Sequence, residues 1–142
     1  MSVVAWDGKI LAADKMATCS GQIQTITKIK KLDNGEIVAW AGRQSYALAF
    51  LDWYVNGADK ENFPEVQRTE DWTCFVIASK DGVKFYEQDY IPIEIQDDFI
   101  AFGSGRDYAM AAMAMGATAI KAVEIASQFS DSCGLGVDWY DV

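Results

Sequence analysis

Three turn dipeptides, Asp7-Gly8, Asn34-Gly35 and Asp81-Gly82, each stand between two short apolar runs. Such dipeptides are the strongest local signal for a β-hairpin, because glycine accepts the positive φ that tight reversals require. They predict hairpins joining Ser2–Trp6 to Lys9–Ala13, Thr27–Leu32 to Glu36–Ala41, and Thr73–Ser79 to Val83–Glu87. A further strand is expected over Phe99–Phe102 and a last one over Gly136–Tyr140.

Helical periods fill the intervals. Arg43–Asn56 ends at Gly57, Asp107–Met115 ends at Gly116, and Thr118–Phe129 opens on a capping threonine. The last helix shows Ala122, Ile125, Ala126 and Phe129 at core spacing, with Ile120 and Val123 flanking them. Met110, Met113 and Met115 read as core filler. Hairpins in runs, with helices in blocks between them, are not the alternating pattern of a parallel sheet. They predict an α+β fold: a four-layer αββα sandwich, with two stacked antiparallel sheets covered by helices on both outer faces. Strands such as Cys74-Phe75-Val76-Ile77-Ala78 are apolar nearly throughout, as sheets buried on both faces require. With 142 residues and no linker or repeat, the chain is expected to be a single domain over 1–142.

Composition narrows the function. A net charge of −9 argues against a nucleic-acid backbone or an anionic membrane surface as partner. No apolar run reaches the ~18 residues a membrane span needs, and no signal peptide is visible, so a cytoplasmic protein is expected. Cys19, Cys74 and Cys133 read as free, packed thiols rather than a disulfide framework. The chain contains no histidine, which removes Ser-His-Asp triads, Cys-His pairs and histidine metal sites. No metal and no cofactor is expected.

Hydrolytic chemistry then needs another base, and an α-amino group beside a terminal hydroxyl is one solution. Ser2 is the hydroxyl nearest the start. Asp14 ends an apolar strand and must find a partner. Lys28 opens the second hairpin, and a lysine beside an amine lowers that amine's pKa by like-charge repulsion. A terminal amine starts near ~7.7–8.0, so a small shift makes it a base at neutral pH. Gly42 follows an apolar strand and precedes a helix, where backbone N–H groups either serve a developing oxyanion or make an ordinary turn. Gly103-Ser104-Gly105 stands between strand and helix and reads as a cap with close backbone packing. Asp131-Ser132-Cys133 is by itself a polar turn.

These pieces, in this order, resemble the proteasome β-subunit family and its bacterial HslV-type relatives over nearly the whole chain. The resemblance rests on Gly8-Lys9-Ile10-Leu11-Ala12-Ala13-Asp14, Lys28-Ile29, Trp40-Ala41-Gly42, Phe102-Gly103-Ser104-Gly105-Arg106-Asp107-Tyr108-Ala109, and Asp131 after the last helix. It implies the N-terminal nucleophile (Ntn) hydrolase fold and peptide-bond cleavage, in a bacterial or phage-type member. Ser2 is then the nucleophile after Met1 removal. Asp14 and Lys28 set its electrostatics, Gly42 supplies the oxyanion N–H, and Ser104 and Asp131 support the amine. Matching on Gly134 instead puts Cys133 and Ser130 in the places of the family's hydroxyl and acid. The implied partners are peptides or unfolded proteins, further copies in a ring or dimer, and an ATP-dependent unfoldase.

Register pulls the other way. A two-residue turn at Asp7-Gly8 sets Trp6 opposite Lys9, Ala5 opposite Ile10, Val3 opposite Ala12, and Met1 opposite Asp14. Ser2 would then point away from Asp14 unless a bulge re-aims it. On that register the alternative is an inactive assembly or binding protein of the same fold, with Asp14 and Lys28 as a structural ion pair. Other amide hydrolysis by a terminal nucleophile is the third reading. Trp53, Tyr54, Trp139 and Tyr140 are candidates for subunit contacts.

Overall fold

The computed structural model describes residues 2–64 and 74–142. The order is β1 (Val4–Trp6), β2 (Ile10–Asp14), β3 (Met16–Cys19), β4 (Gln22–Thr25), β5 (Ile29–Lys31), β6 (Ile37–Ala41) and α1 (Gln44–Val55). After a single 3-10 turn at Lys60–Asn62 come β7 (Cys74–Ser79), β8 (Gly82–Tyr86), β9 (Ile93–Glu94) and β10 (Ile100–Phe102). The chain finishes with α2 (Arg106–Ala114), α3 (Ala119–Phe129) and β11 (Val137–Asp141).

Strands β10-β1-β2-β11 form one large sheet and β5-β6-β7-β8-β9 the other, β3 and β4 form a separate two-stranded ribbon, and all pairings are antiparallel. Alternation sorts the side chains into layers. Val4, Trp6, Leu11 and Ala13 meet Ile37, Ala39, Val76 and Ala78 between the sheets. Val3, Ala5 and Ala12 face α2 and α3. On the far side Val38, Trp40, Phe75 and Ile77 pack beneath Phe50 and Trp53 of α1. The layers are therefore α1, sheet, sheet, and the α2–α3 pair, as the αββα expectation has it.

The dipeptides mark the reversals, but their glycines take different places in the turns. In the first hairpin the Asp7 N–H donates to the Ile10 carbonyl, and Gly8, at φ 96°, is the first of two central residues. In the second, Leu32 N–H donates to Glu36 O around a three-residue Asp33-Asn34-Gly35 loop. In the third, Ser79 pairs with Gly82 around Lys80-Asp81. The expected first register is thereby corrected by two residues: Trp6 pairs with Leu11, Ala5 with Ala12 and Val4 with Ala13, with no bulge. The expected Met1 pairing, and Thr73 of the third hairpin, lie outside the described residues.

Other expectations also shift. Met115 and Phe129 face solvent, at 90% and 65% exposure, while Val123 takes a core place on α3. Of the aromatics considered for subunit contacts, Trp53 is buried, whereas Trp139 and Tyr140 are exposed. Cys19 is exposed rather than packed. The β3–β4 hairpin was not expected, although Ser20-Gly21 signals it. Both residues have positive φ, 50° and 82°, as a tight two-residue turn requires. Among the described residues no helix is long and apolar enough to cross a membrane.

Candidate active site

Among the described residues, Ser2, Asp14 and Lys28 are the buried polar and charged residues of the core, all exposed by 2% or less. Ser2 shares the parity of Val4 and Trp6, so its side chain enters the space between the sheets, where Lys28 lies just before β5. Lys28 Nζ donates to Ser2 Oγ at 2.8 Å and to Asp14 Oδ1 at 2.8 Å. The lysine bridges two side chains that start on opposite faces of the same sheet. Ser2 therefore reaches the charged pair without facing Asp14 directly.

The Asp14 carboxylate is fully engaged. Its Oδ1 also accepts from the Val3 N–H at 3.1 Å, and its Oδ2 accepts from the N–H groups of Met16 and Gly134 at 3.3 and 3.1 Å. A buried ion pair persists only when its remaining lone pairs are satisfied in this way. Lys28 is pushed below the ordinary lysine range by burial, and the adjacent Asp14 carboxylate partly restores it.

The loop between β10 and α2 fixes the backbone of Ser2. Ser2 N–H donates to Ser104 Oγ at 3.1 Å, and Gly105 N–H donates to Ser2 O at 3.1 Å. Gly103 adopts φ 96°, and a Cβ there would overlap the Ser2 carbonyl. The same Cβ would stand 3.4 Å from the Cβ of Ala41, which places Gly42 one residue from this contact. Gly42 itself has φ 115° and is half-buried between β6 and α1. Trp40 Nε1 donates to Gln44 Oε1, and Gln44 Nε2 donates to the Thr27 carbonyl, which ties the start of α1 to the segment carrying Lys28.

The structure thus brings Ser2, Asp14, Lys28 and Ser104 together, with Gly42 on the adjoining turn. Asp131 is exposed, and its carboxylate accepts from Ser132 Oγ. The turn after α3 reaches the cluster through the Gly134 N–H and the Cys133 thiol instead. Cys133 Sγ is so close to the Gly105 α-carbon that a Cβ there would stand 2.8 Å from it. Burial and Asp14 push this thiol up, against the opposing pull of Ser130, Lys28 and Ser104, so it is uncharged at neutral pH and a weak nucleophile. Matching on Gly134 was the signal for that placement. Among the described residues no group of three or more His, Cys, Asp or Glu side chains is placed to hold a metal ion.

No family model matches this chain, and no curated protein matches it. Solved structures do. BPH of Thiobacillus denitrificans is 22% identical over 100% of this chain and 97% of its own, with a TM-score of 0.75. HslV from Trypanosoma brucei is 16% identical over 99% of this chain and 97% of its own, with a TM-score of 0.71. The chain has the HslV fold. The Thiobacillus denitrificans protein in complex with epoxomicin also matches, at 22% identity, 100% and 98% coverage and a TM-score of 0.73. Coverage near the full length of each neighbour means that the HslV fold accounts for both sheets and both helical layers here.

Proposed function

We propose that this chain is an N-terminal nucleophile peptidase in which Ser2 attacks the peptide carbonyl once Met1 has been removed. The observation that carries the reading is the 2.8 Å contact of Lys28 Nζ with Ser2 Oγ, held by an equally short contact to Asp14. A serine hydroxyl buried against a lysine ammonium is stabilised as it loses its proton.

With Met1 gone, the Ser2 nitrogen is an amine. Ser2 Oγ bonds to the carbonyl carbon and its proton passes to that amine. The oxyanion is met by the Gly42 N–H. The amine returns the proton to the leaving nitrogen as the C–N bond breaks, leaving an ester on Ser2. Water then attacks the ester and gives a proton to the amine. As the ester C–O bond breaks, the proton passes to Ser2 Oγ and the acid product leaves. Ser104 holds the Ser2 nitrogen in place. Asp14 neutralises and orients Lys28, and the Gly134 N–H, in place of Asp131, ties the turn after α3 to Asp14.

The inactive-assembly alternative rests on a retained Met1 and on Met1 standing in the nucleophile's register; the contact of Lys28 with Ser2, in a register that sets Val4 opposite Ala13, favours the peptidase reading. Peptides or unfolded proteins are the proposed substrates, in a cytoplasmic ring or dimer of bacterial or phage type that is served by an ATP-dependent unfoldase. The epoxomicin complex of the Thiobacillus denitrificans neighbour supplies a probe. Intact mass on native protein is expected to show loss of Met1, then the addition of one epoxomicin. Retained Met1 with no adduct and no peptide hydrolysis overturns the reading.

A further inference from the structure

Strand β9 ends one side of the five-stranded sheet, and among the described residues no strand pairs with its outer side. Ile95 N–H donates inward to the Val83 carbonyl at 3.0 Å, so alternation turns the Glu94 N–H and C=O to the open side. The chain at this edge is also apolar. Tyr90, Ile91, Pro92 and Ile93 are consecutive and all exposed, Ile91 by 55%. Four exposed apolar residues in a row are not an ordinary surface, and an open edge beside them is a template for an added strand.

Charge indicates which strand the edge takes. Segment 87–98 holds Glu87, Asp89, Glu94, Asp97 and Asp98 and no lysine or arginine. Among the described residues none of these five carboxylates forms an ion pair. Lys84 is the cross-strand partner of Glu94, but its ammonium stands over the Tyr54 ring, 5.7 Å from the centroid. Lys60 lies over the Tyr90 ring at the same distance. Two copies meeting edge to edge would set carboxylate against carboxylate, which is how edge strands avoid their own kind. A strand carrying lysine or arginine meets the opposite charge instead.

We propose that the β9 edge binds an extended, basic peptide segment of another protein by strand addition. The Glu94 backbone supplies the ladder bonds, Ile91 and Ile93 the apolar contacts, and the flanking carboxylates the preference for lysine and arginine. This edge belongs to the sheet that does not carry Ser2, and the inference does not rest on Ser2 being a nucleophile.

The test is the fluorescence anisotropy of a labelled short peptide that alternates lysine and valine, titrated with the full chain as Ser2→Ala, so that cleavage does not enter the reading. One comparison peptide replaces each lysine with glutamate, and another carries methyl groups on its backbone nitrogens. Saturable binding at micromolar concentration is expected for the lysine peptide, and binding at least about tenfold weaker for either comparison peptide. Adding Asp89→Lys and Asp97→Lys, both at exposed positions, is expected to weaken the lysine peptide at least about tenfold. Adding Asp107→Lys and Glu124→Lys instead, on α2 and α3, makes the same change in net charge and is expected to alter binding by less than about twofold. No saturable binding, equal binding of either comparison peptide, or equal weakening by the two pairs of substitutions overturns the proposal. The comparison peptides need no edge variant, so they decide the matter if circular dichroism shows a pair to be misfolded. Peptide hydrolysis by the wild-type chain is read separately and bears only on Ser2.

Discussion

Lys28 Nζ stands 2.8 Å from Ser2 Oγ and 2.8 Å from Asp14 Oδ1, so one ammonium joins the start of the first strand to the end of the second. A hydroxyl on the sheet's inner face and a carboxylate at a strand end become one unit through the lysine they share. The chemistry proposed for Ser2 depends on that bridge, and so does part of the fold.

Ser2→Ala is expected to abolish peptide hydrolysis, by at least about a thousandfold, and to prevent epoxomicin adduct formation. Lys28 keeps Asp14, so circular dichroism and the melting temperature should change little. Hydrolysis of a fluorogenic peptide together with intact mass checks this, and an unchanged rate excludes Ser2 as nucleophile.

Lys28→Met leaves the Asp14 carboxylate buried without its cation. Breaking such a pair on one side typically costs about 3–5 kcal/mol. The Lys28→Met, Asp14→Asn double variant is expected to lose less than the two single losses added together, because the residues act on one another. Urea unfolding midpoints across this cycle give the coupling.

Burial holds the pKa of Lys28 below 10.5, its ordinary value. Between its folded and unfolded values the unfolded chain binds more protons, so the contribution of this group to stability rises with pH across that window. Tyr46 works in the opposite sense: burial raises its folded pKa to about 12 from 10.0. Above pH 10 the unfolded chain ionises first, and stability falls. Stability measured against pH should therefore rise toward pH 10 in wild type and more weakly in Lys28→Met, then fall in both. A Lys28→Met slope equal to that of wild type below pH 10 contradicts the lowered lysine.

Gly103→Ala puts a methyl group onto the Ser2 carbonyl and forces alanine into φ 96°. Both effects displace Ser2. A loss of more than about 2 kcal/mol in stability is expected, with activity lost even at temperatures where the variant is folded. Thermal melts and peptide assays read the two effects separately.

Asp7→Ala is a purely structural change. The Asp7 carboxylate accepts from the N–H groups of Lys9 and Ile10 in the first turn, and from the N–H of Ala119 at the start of α3. Losing a helix-terminal acceptor typically costs about 1 kcal/mol. A lowered melting temperature with catalysis intact below it is expected.

Much of the fold was legible because turn chemistry and periodicity are local. The three glycine dipeptides placed the reversals, and Thr118 and Gly57 set helix ends to within a residue or two. Phe129 was misplaced because helical spacing shows which residues share a face, not how far a neighbouring layer extends. Ser20-Gly21 carries the turn signal for the β3–β4 hairpin, but β4 is exposed throughout and lacks the apolar run that marks the buried strands.

Site legibility divided in the same way. Asp14, Lys28 and Ser104 stood out as polar residues at the ends of apolar segments, and they do converge on Ser2. Asp131 stood out equally and is exposed, while the Cys133 thiol and the Gly134 N–H reach the cluster. A turn of seven residues, from Ser130 to Gly136, leaves open which of them points inward until a strand and a helix clamp it.

By itself, then, the sequence determined the three helices, three of the hairpins, the two-sheet layering and the absence of histidine chemistry. The tertiary structure decided the register of the first hairpin, and the stacking of the second sheet on the first brought Lys28 to Ser2. The reason is physical: a dipeptide marks where the chain turns, whereas a two-residue slip keeps Trp6, Leu11 and Ala13 on the inner face and changes only their cross-strand partners, so the register is fixed along the whole strand pair, with Val3 beside Asp14. Contacts between distant strands, which the local turn chemistry does not carry, complete the site.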